Sequence, residues 1–354
     1  MVRIPCWIFV IMLLVNIAAE AVVLGQKSHP PLPPDHLPAV FDLSHIPLGL
    51  SSKRNIPVDN PLTPEKVALG RQLFFDPILS ANRQVSCASC HLPEFHFASP
   101  DPLAIGIGGQ LGQRHAPTLI NRTYGTSFFW DGRAKTLEDQ ALQPIENSLE
   151  LGFKVDGALQ RLRQDRQYDK LFQAAFPDGT TRTNLARALA SFQRVLLSGD
   201  SPVDRFLAGD FNALTDSQRQ GMWLFDSRAG CWKCHSGPNF TDEQFHNTGV
   251  SWRKSPADRG LFNTTKREAD QGKFKTPSLR NISQTRPYMH DGSISSLWPV
   301  IEFYNQGGID NPHLDGAIKP LQLTTDEIVH LIEFLKALNG NSNYRRIPDT
   351  TSSP

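Results

Sequence analysis

Two copies of one five-residue motif constrain this chain more than anything else in it: Cys87-Ala-Ser-Cys90-His91 and Cys231-Trp-Lys-Cys234-His235. Cys-x-x-Cys-His sets two thiols about one helical turn apart, with an imidazole beside the second. Covalent attachment of a haem asks for that arrangement: one thiol for each vinyl group and a nitrogen for the iron. A structural zinc site made of two Cys-x-x-Cys pairs wants them roughly 15–20 residues apart, and Cys90 and Cys231 are much farther. A thioredoxin-like redox pair needs no histidine after its second cysteine. The motifs therefore imply two c-type haems, attached at Cys87 and Cys90 and at Cys231 and Cys234. His91 and His235 are the expected proximal iron ligands.

The remaining cysteine, Cys6, falls in an N-terminal stretch of a different kind. Arg3 is a short basic start, Trp7 to Ile17 is an apolar run broken only by Asn16, and Ala19-Glu20-Ala21 fits a small-x-small cleavage site. Residues 1–21 read as a secretory signal peptide. The run is short for a membrane span of about 20 residues, and Cys6 stands at its beginning, which does not suit a lipidated cysteine. The mature chain is expected in the periplasm, with no membrane insertion and every cysteine committed to haem. A formal net charge of +1 gives no electrostatic case for nucleic acid.

Residues 22–61, with "SHPPLPPDHLP" and "NIPVDNP", read as a proline-rich arm. Thr63-Pro64-Glu65 then signals a helix start, and "KVALGRQLFFD" carries it to the first motif. The order returns later: Thr215-Asp216 caps "SQRQGMWLFD", and Cys231 follows. Such an internal repeat of helix then haem motif predicts two cytochrome c-like domains, 62–200 and 201–340, with a tail at 341–354. Further helices are expected at 136–145, 157–176, 183–197 and 324–340, the last capped by Thr324 or Thr325 and stopped by Gly340. No strand alternation stands out, so the fold class is mainly α. Distal ligands stay open at this level. "RPYMHDGSISSLWPVIEFYNQGG" (286–308) offers Tyr288, Met289, His290 and Tyr304. Met222 belongs to the helix leading into the second motif and is badly placed for the distal side.

Two further blocks, "RHAPTLINRTYGTSFFWDGRAKTLEDQALQPIENSLELG" (114–152) and "FKTPSLRNISQTRPYMHDGS" (274–293), resemble the first- and second-domain signatures of bacterial di-haem cytochrome c peroxidases and their MauG-type relatives. The resemblance runs over residues 63 to 340 and includes both motifs in order. It implies hydrogen peroxide as the substrate of the first haem and a relay role for the second. It implies Trp130 between the haems, and Gln140, Pro144 and Glu150 over the peroxide-binding face. A buried carboxylate there can move a proton from one peroxide oxygen to the other. It also implies a calcium ion between the domains, held by backbone carbonyls at Thr285, Pro287 and His115, the last replacing the usual asparagine.

Two departures from the family pattern matter. Many members carry a histidine in the glycine-rich loop that caps the first iron. In "GIGGQLGQR" (106–114) that position is Ile107, which cannot ligate, so the first site is expected open; His96 and His115 are the nearby substitutes. The usual methionine ligand of the second iron falls, by its place after His290, on Tyr304, as in the MauG-type branch. A tyrosinate favours oxidised iron, where a thioether favours reduced iron. The function expected is MauG-like oxidation of a redox partner protein. The alternatives are a cytochrome c peroxidase fed by a small cytochrome or cupredoxin, and a non-enzymatic di-haem carrier. Where MauG has a surface tryptophan before the second motif, this chain has Ala229; Trp232, inside the motif, is the nearest replacement.

Overall fold

A computed structural model describes residues 42–342. The expected signal peptide, residues 22–41 of the arm and the tail from 343 onward lie outside the described residues.

Among the described residues, ten α-helices carry the fold: α1 (Pro64–Phe75), α2 (Leu137–Glu146), α3 (Val155–Gln164), α4 (Arg166–Ala175), α5 (Arg182–Arg194), α6 (Pro202–Leu207), α7 (Asp216–Asp226), α8 (Phe262–Thr265), α9 (Leu297–Asn305) and α10 (Thr325–Lys336). Four two-residue strands form two antiparallel pairs: β1 (Ser198–Gly199) with β4 (Asn341–Ser342), and β2 (Phe245–His246) with β3 (Phe274–Lys275). The chain is mainly α, as expected. Among the described residues no helix is long and apolar enough to cross a membrane.

Helix starts follow side-chain chemistry. Thr63 accepts from Lys66 N–H with Pro64 in the first turn. Thr215 and Thr324 form capping boxes with Gln218 and Glu327. The expected helix 157–176 is two helices instead. Asp165 takes an extended conformation, and its carboxylate accepts from Gln167 and Tyr168 N–H, so it caps α4 and ends α3. The last long helix stops at Lys336, short of Gly340. Gly340 serves a different need: a Cβ there would lie 2.3 Å from the Gly199 carbonyl, where β1 and β4 meet.

Two helix crossings repeat one another. α1 packs on α5 through Gly70, where a Cβ would lie 1.9 Å from the Ala188 carbonyl and 3.0 Å from Phe192 Cβ. α7 packs on α10 through Gly221, where a Cβ would lie 1.9 Å from the His330 carbonyl and 2.8 Å from Phe334 Cβ. One turn beyond each glycine stands a phenylalanine, and each begins a three-ring cluster. Phe74, Phe97 and Phe192 have centroids 5.2–6.3 Å apart. Phe225, Phe240 and Phe334 have centroids 5.0–6.4 Å apart. The glycine, rather than the shared Phe-Asp ending, brings the two copies into register.

One buried cluster draws only on residues 203–338, including Leu224, Phe225, Leu331 and Phe334. Others draw only on residues 67–196, including Leu69, Leu73, Phe74 and Phe192. Ser198 ties the two regions: its carbonyl accepts from Asn121 Nδ2 at 2.9 Å and its hydroxyl from Asn281 Nδ2 at 2.7 Å. The arm lies across both. Asn60 is buried and donates to Glu138, while the Gly49 carbonyl accepts from Arg280.

Candidate active site

Each Cys-x-x-Cys-His motif opens with a single 3₁₀ turn, at Cys87–Ser89 and Cys231–Lys233. The histidine N–H donates to the carbonyl of the first cysteine in each, at 3.0 and 2.9 Å. His91 Nδ1 meets the Phe97 carbonyl at 3.0 Å, and His235 Nδ1 meets the Phe240 carbonyl at 3.0 Å. Those phenylalanines are the third rings of the two clusters, so the core fixes each imidazole. A carbonyl partner requires Nδ1 to carry the proton, which leaves the Nε2 lone pair for a metal. Burial keeps both rings neutral, with His91 lowered to about 4. None of the four described cysteines is in a disulfide. Burial pushes the Cys87, Cys90 and Cys231 thiols up to about 12. An environment that penalises thiolate accepts a neutral thioether, so this donor set fits covalent haem at both motifs.

At the first motif a cavity of about 450 Å³ is lined by Cys90, His91, Trp130, Gln140, Pro144 and Glu150, among others. Three of these come from α2 and the turn after it; Thr136 caps α2 by accepting from Asp139 N–H. Pro144 stands in the last turn of α2, and its carbonyl accepts from Leu151 N–H. Burial raises the proton affinity of Glu150 and outweighs the opposing effects of Asn147 and Arg133. Trp130 bridges two regions: its indole N–H donates to the His115 carbonyl at 2.9 Å, and its own carbonyl accepts from Lys275 N–H at 2.9 Å. Ile107 packs against Gly152 rather than presenting a ligand, and its N–H donates to the Glu150 carbonyl. His96 is buried, with its carbonyl accepting from Thr118 Oγ1. His115 lines the cavity, but its Nδ1 is held by the Asp101 carbonyl at 3.1 Å.

The loops 114–132 and 274–292 are copies of one another. Bridges join Phe128 to Ala134 and Tyr288 to Ile294. Asn121 and Asn281, Phe129 and Met289, and Gly132 and Gly292 share positive φ between 58° and 73°. Trp130 and His290 are therefore equivalent, and Met289 corresponds to Phe129. α2 and α9 follow these loops at the same distance, which makes Pro144 and Tyr304 equivalent. Tyr304 packs on the second core together with Met289, Met222 and Cys231. Burial, then the nearby Cys234 and Cys231, raise its phenol well above the usual tyrosine range. Of the expected calcium residues, Thr285 and Pro287 are buried, and His115 N–H donates to the His290 carbonyl at 2.8 Å. Trp232 is exposed, and Ala229 is buried in the second core.

Charged residues that the motifs do not reveal hold the two regions together. Arg114 forms a two-point pair with Asp258 at 2.7 and 2.9 Å and a third contact to Asp131 at 2.7 Å. Glu243 takes Arg122 at 2.9 Å and Lys275 at 3.2 Å. Burial alone would raise Glu243; the two cations overcome it and hold the carboxyl at about 2.

The profile of the di-haem cytochrome c peroxidase family, the group that includes MauG, matches residues 64–212. The chain is 42% identical over 288 residues to the methylamine utilization protein MauG of Methylorubrum extorquens, covering 80% of this chain and 81% of that one. It is 34% identical to the cytochrome-c peroxidase IdrP1 of a Pseudomonas species, over 91% and 89% of the two chains. The chain belongs to the di-haem cytochrome c peroxidase family. A crystal structure of a MauG-like protein associated with microbial copper homeostasis superposes with a TM-score of 0.77 at 34% identity, covering 84% of this chain and 95% of that one. Membership makes the chain a peroxidase-type oxidoreductase with two haems, so the reading as a bare electron carrier falls. Asn147 and the Arg114 and Glu243 clusters were not found from sequence. The Asn-x-x-Glu spacing at 147–150 was the available sign for the first of these.

Proposed function

We propose that this chain is an exported enzyme with two covalent c-type haems that reacts with hydrogen peroxide at the first motif and uses both haems to oxidise a partner protein, in the manner of MauG. Residues 62–200 form the peroxide-reacting domain and 201–340 the relay domain, each with its own buried clusters. Bound haem supplies the iron that holds peroxide and the electrons that reduce it. Glu150 takes a proton from the near oxygen of peroxide and returns it to the far one, which makes water the leaving group. Burial suits it to this work, because it raises the carboxyl's proton affinity. Gln140 supplies an amide on the same wall, and Pro144 a face without an N–H. Trp130, held by backbone contacts from both regions, is the residue we assign to relay electrons between the two haems. Carbonyls of His115, Thr285 and Pro287 hold a calcium ion at the same junction; the His115 carbonyl, already paired with Trp130, keeps a second lone pair.

The observation that carries this reading is Tyr304. It stands in the second region where Pro144 stands in the first, partly buried on the second core near Cys231 and Cys234. Its raised proton affinity keeps a free phenol neutral there, so a bound ferric iron would have to draw the proton off. The resulting anionic oxygen donor stabilises oxidised iron, which suits storing oxidising power more than passing single electrons from a small donor protein. A redox titration tests it. The reading expects a low second-haem potential that rises on Tyr304→Met. A high, methionine-like potential in the native protein would instead make it a peroxide scavenger fed by a small cytochrome or cupredoxin.

A further inference from the structure

The turn that follows α2 holds Glu150 from two sides. On one side is Asn147, the last-turn cap of α2. Its carbonyl accepts from Glu150 N–H at 3.0 Å and from Gly152 N–H at 2.9 Å. Its side-chain Oδ1 accepts from Leu149 N–H at 3.0 Å, which fixes the amide's orientation, and the opposite atom, Nδ2, donates to Glu150 Oε1 at 2.6 Å. On the other side is the glycine-rich loop. Ile107 N–H donates to the Glu150 carbonyl at 2.8 Å. The approach is so close that a Cβ on Gly106 would lie 1.9 Å from the Leu149 carbonyl and 2.8 Å from Glu150 Cα. The main chain of Glu150 is thus clamped, and its carboxyl is left with one polar side-chain partner among the described hydrogen bonds.

We propose that Asn147 is the positioning residue of the peroxide site: its amide aims the Glu150 carboxyl and sets how tightly that carboxyl holds a proton. The inference rests on the acid–base role proposed above for Glu150 and adds the group that controls it. The physical logic is a balance. Burial favours the protonated form, which cannot accept a proton from peroxide; a donor amide favours the ionised form, which can. The other charged or titratable groups facing Glu150 are few. Arg133 acts in the same direction as Asn147. Cys87, Cys90 and His91 are neutral by burial. His115, Asp131, Arg122 and Lys275 line the same cavity, with Asp131 engaged by Arg114 and Arg133, and Arg122 and Lys275 by Glu243. Gly106 and Ile107 bring no charge. The glycine-rich loop at 106–107 thus clamps the backbone of the proton carrier.

The test uses Asn147→Asp in the haem-loaded protein. Aspartate keeps the oxygen that accepts from Leu149 N–H but replaces the amide donor with a second carboxyl. The infrared stretch of the protonated Glu150 carboxyl, assigned by its loss in Glu150→Gln, is followed against pH. The titration midpoint is expected to rise by about one pH unit or more, a tenfold gain in proton affinity. The peroxide rate should move its pH profile by the same amount. Asn147→Ser, which retains a hydroxyl donor, should fall between. A purely structural role predicts that the variants lower the melting temperature and leave the midpoint in place. That result, or an equal shift in a Ser148→Ala control, overturns the proposal. Glu150→Gln reacting with peroxide at the native rate would instead sink the acid–base role, while leaving the midpoint shift to decide on Asn147.

Discussion

The first region sets Pro144 on α2 where the second sets Tyr304 on α9. Around these two positions nearly everything else is repeated. Each region has a glycine-mediated helix crossing, a three-phenylalanine cluster, a histidine steadied by the carbonyl of one of those phenylalanines, and a loop with the same positive-φ positions. In the function proposed here, the shared frame holds a haem in each region, and a few side chains on the following helix set what each iron meets. In the first region that face has Gln140, Pro144 and Glu150 around a cavity. In the second it has the partly buried phenol of Tyr304. A duplicated scaffold can in this way carry two different chemistries without changing its core.

The largest effect expected concerns the frame. Replacing Cys231 and Cys234 by serine should remove the second haem alone, so that a haem assay reads one haem per chain in place of the native complement, with the first haem's spectrum kept. Loss of both haems would break the claim that the regions hold their cofactors independently. Next comes the distal equipment. Glu150→Gln should slow the reaction with peroxide by about 10²–10⁴-fold, as expected for loss of a general acid–base group, and leave the second haem's spectrum unchanged. The native rate should also fall at low pH through an ionisation above 4.5, because burial raises Glu150 and only its ionised form accepts the proton.

Smaller effects probe the equivalence of the crossings. Gly70→Ala and Gly221→Ala should each cost about 1–3 kcal/mol in thermal unfolding, since both force a methyl into a facing carbonyl. A large cost at one and none at the other would separate the two copies. The smallest concerns the junction. The Glu243 carboxyl is depressed from 4.5 to about 2 by Arg122 and Lys275 acting against burial. Its contribution is complete above pH 4.5 and is lost as pH falls toward 2. Stability measured over that window should drop in the native protein and drop less in Glu243→Gln.

The haem motifs, the helix starts at Thr63, Thr215 and Thr324, and the mainly α class were legible because each rests on local chemistry: covalent spacing or a capping side chain. The split at Asp165 was hidden because an aspartate inside an apolar periodic run reads as a solvent-facing residue until its carboxylate turns back on Gln167 and Tyr168. α9 was missed because Pro299 interrupts its opening, although proline is tolerated in a first turn. The equivalence of Phe74 with Phe225 needed the Gly70 and Gly221 crossings, which only packing displays. Asn147 and the Arg114 and Glu243 clusters depend on contacts between segments far apart or on a turn's geometry. Residue spacing marks Asn147 only by its place three residues before Glu150, and it encodes none of the partners of Arg114 and Glu243.

Electron paramagnetic resonance of the fully ferric protein, native against Tyr304→Phe, tests the central claim most directly. Two distinct ferric signals are expected, one from an open first site and one from a second iron with histidine and tyrosinate. Tyr304→Phe should erase or transform the second signal and leave the first untouched. If the second signal is the same in both proteins, Tyr304 is not the residue that sets the two regions apart, and the contrast with Pro144 carries no chemistry.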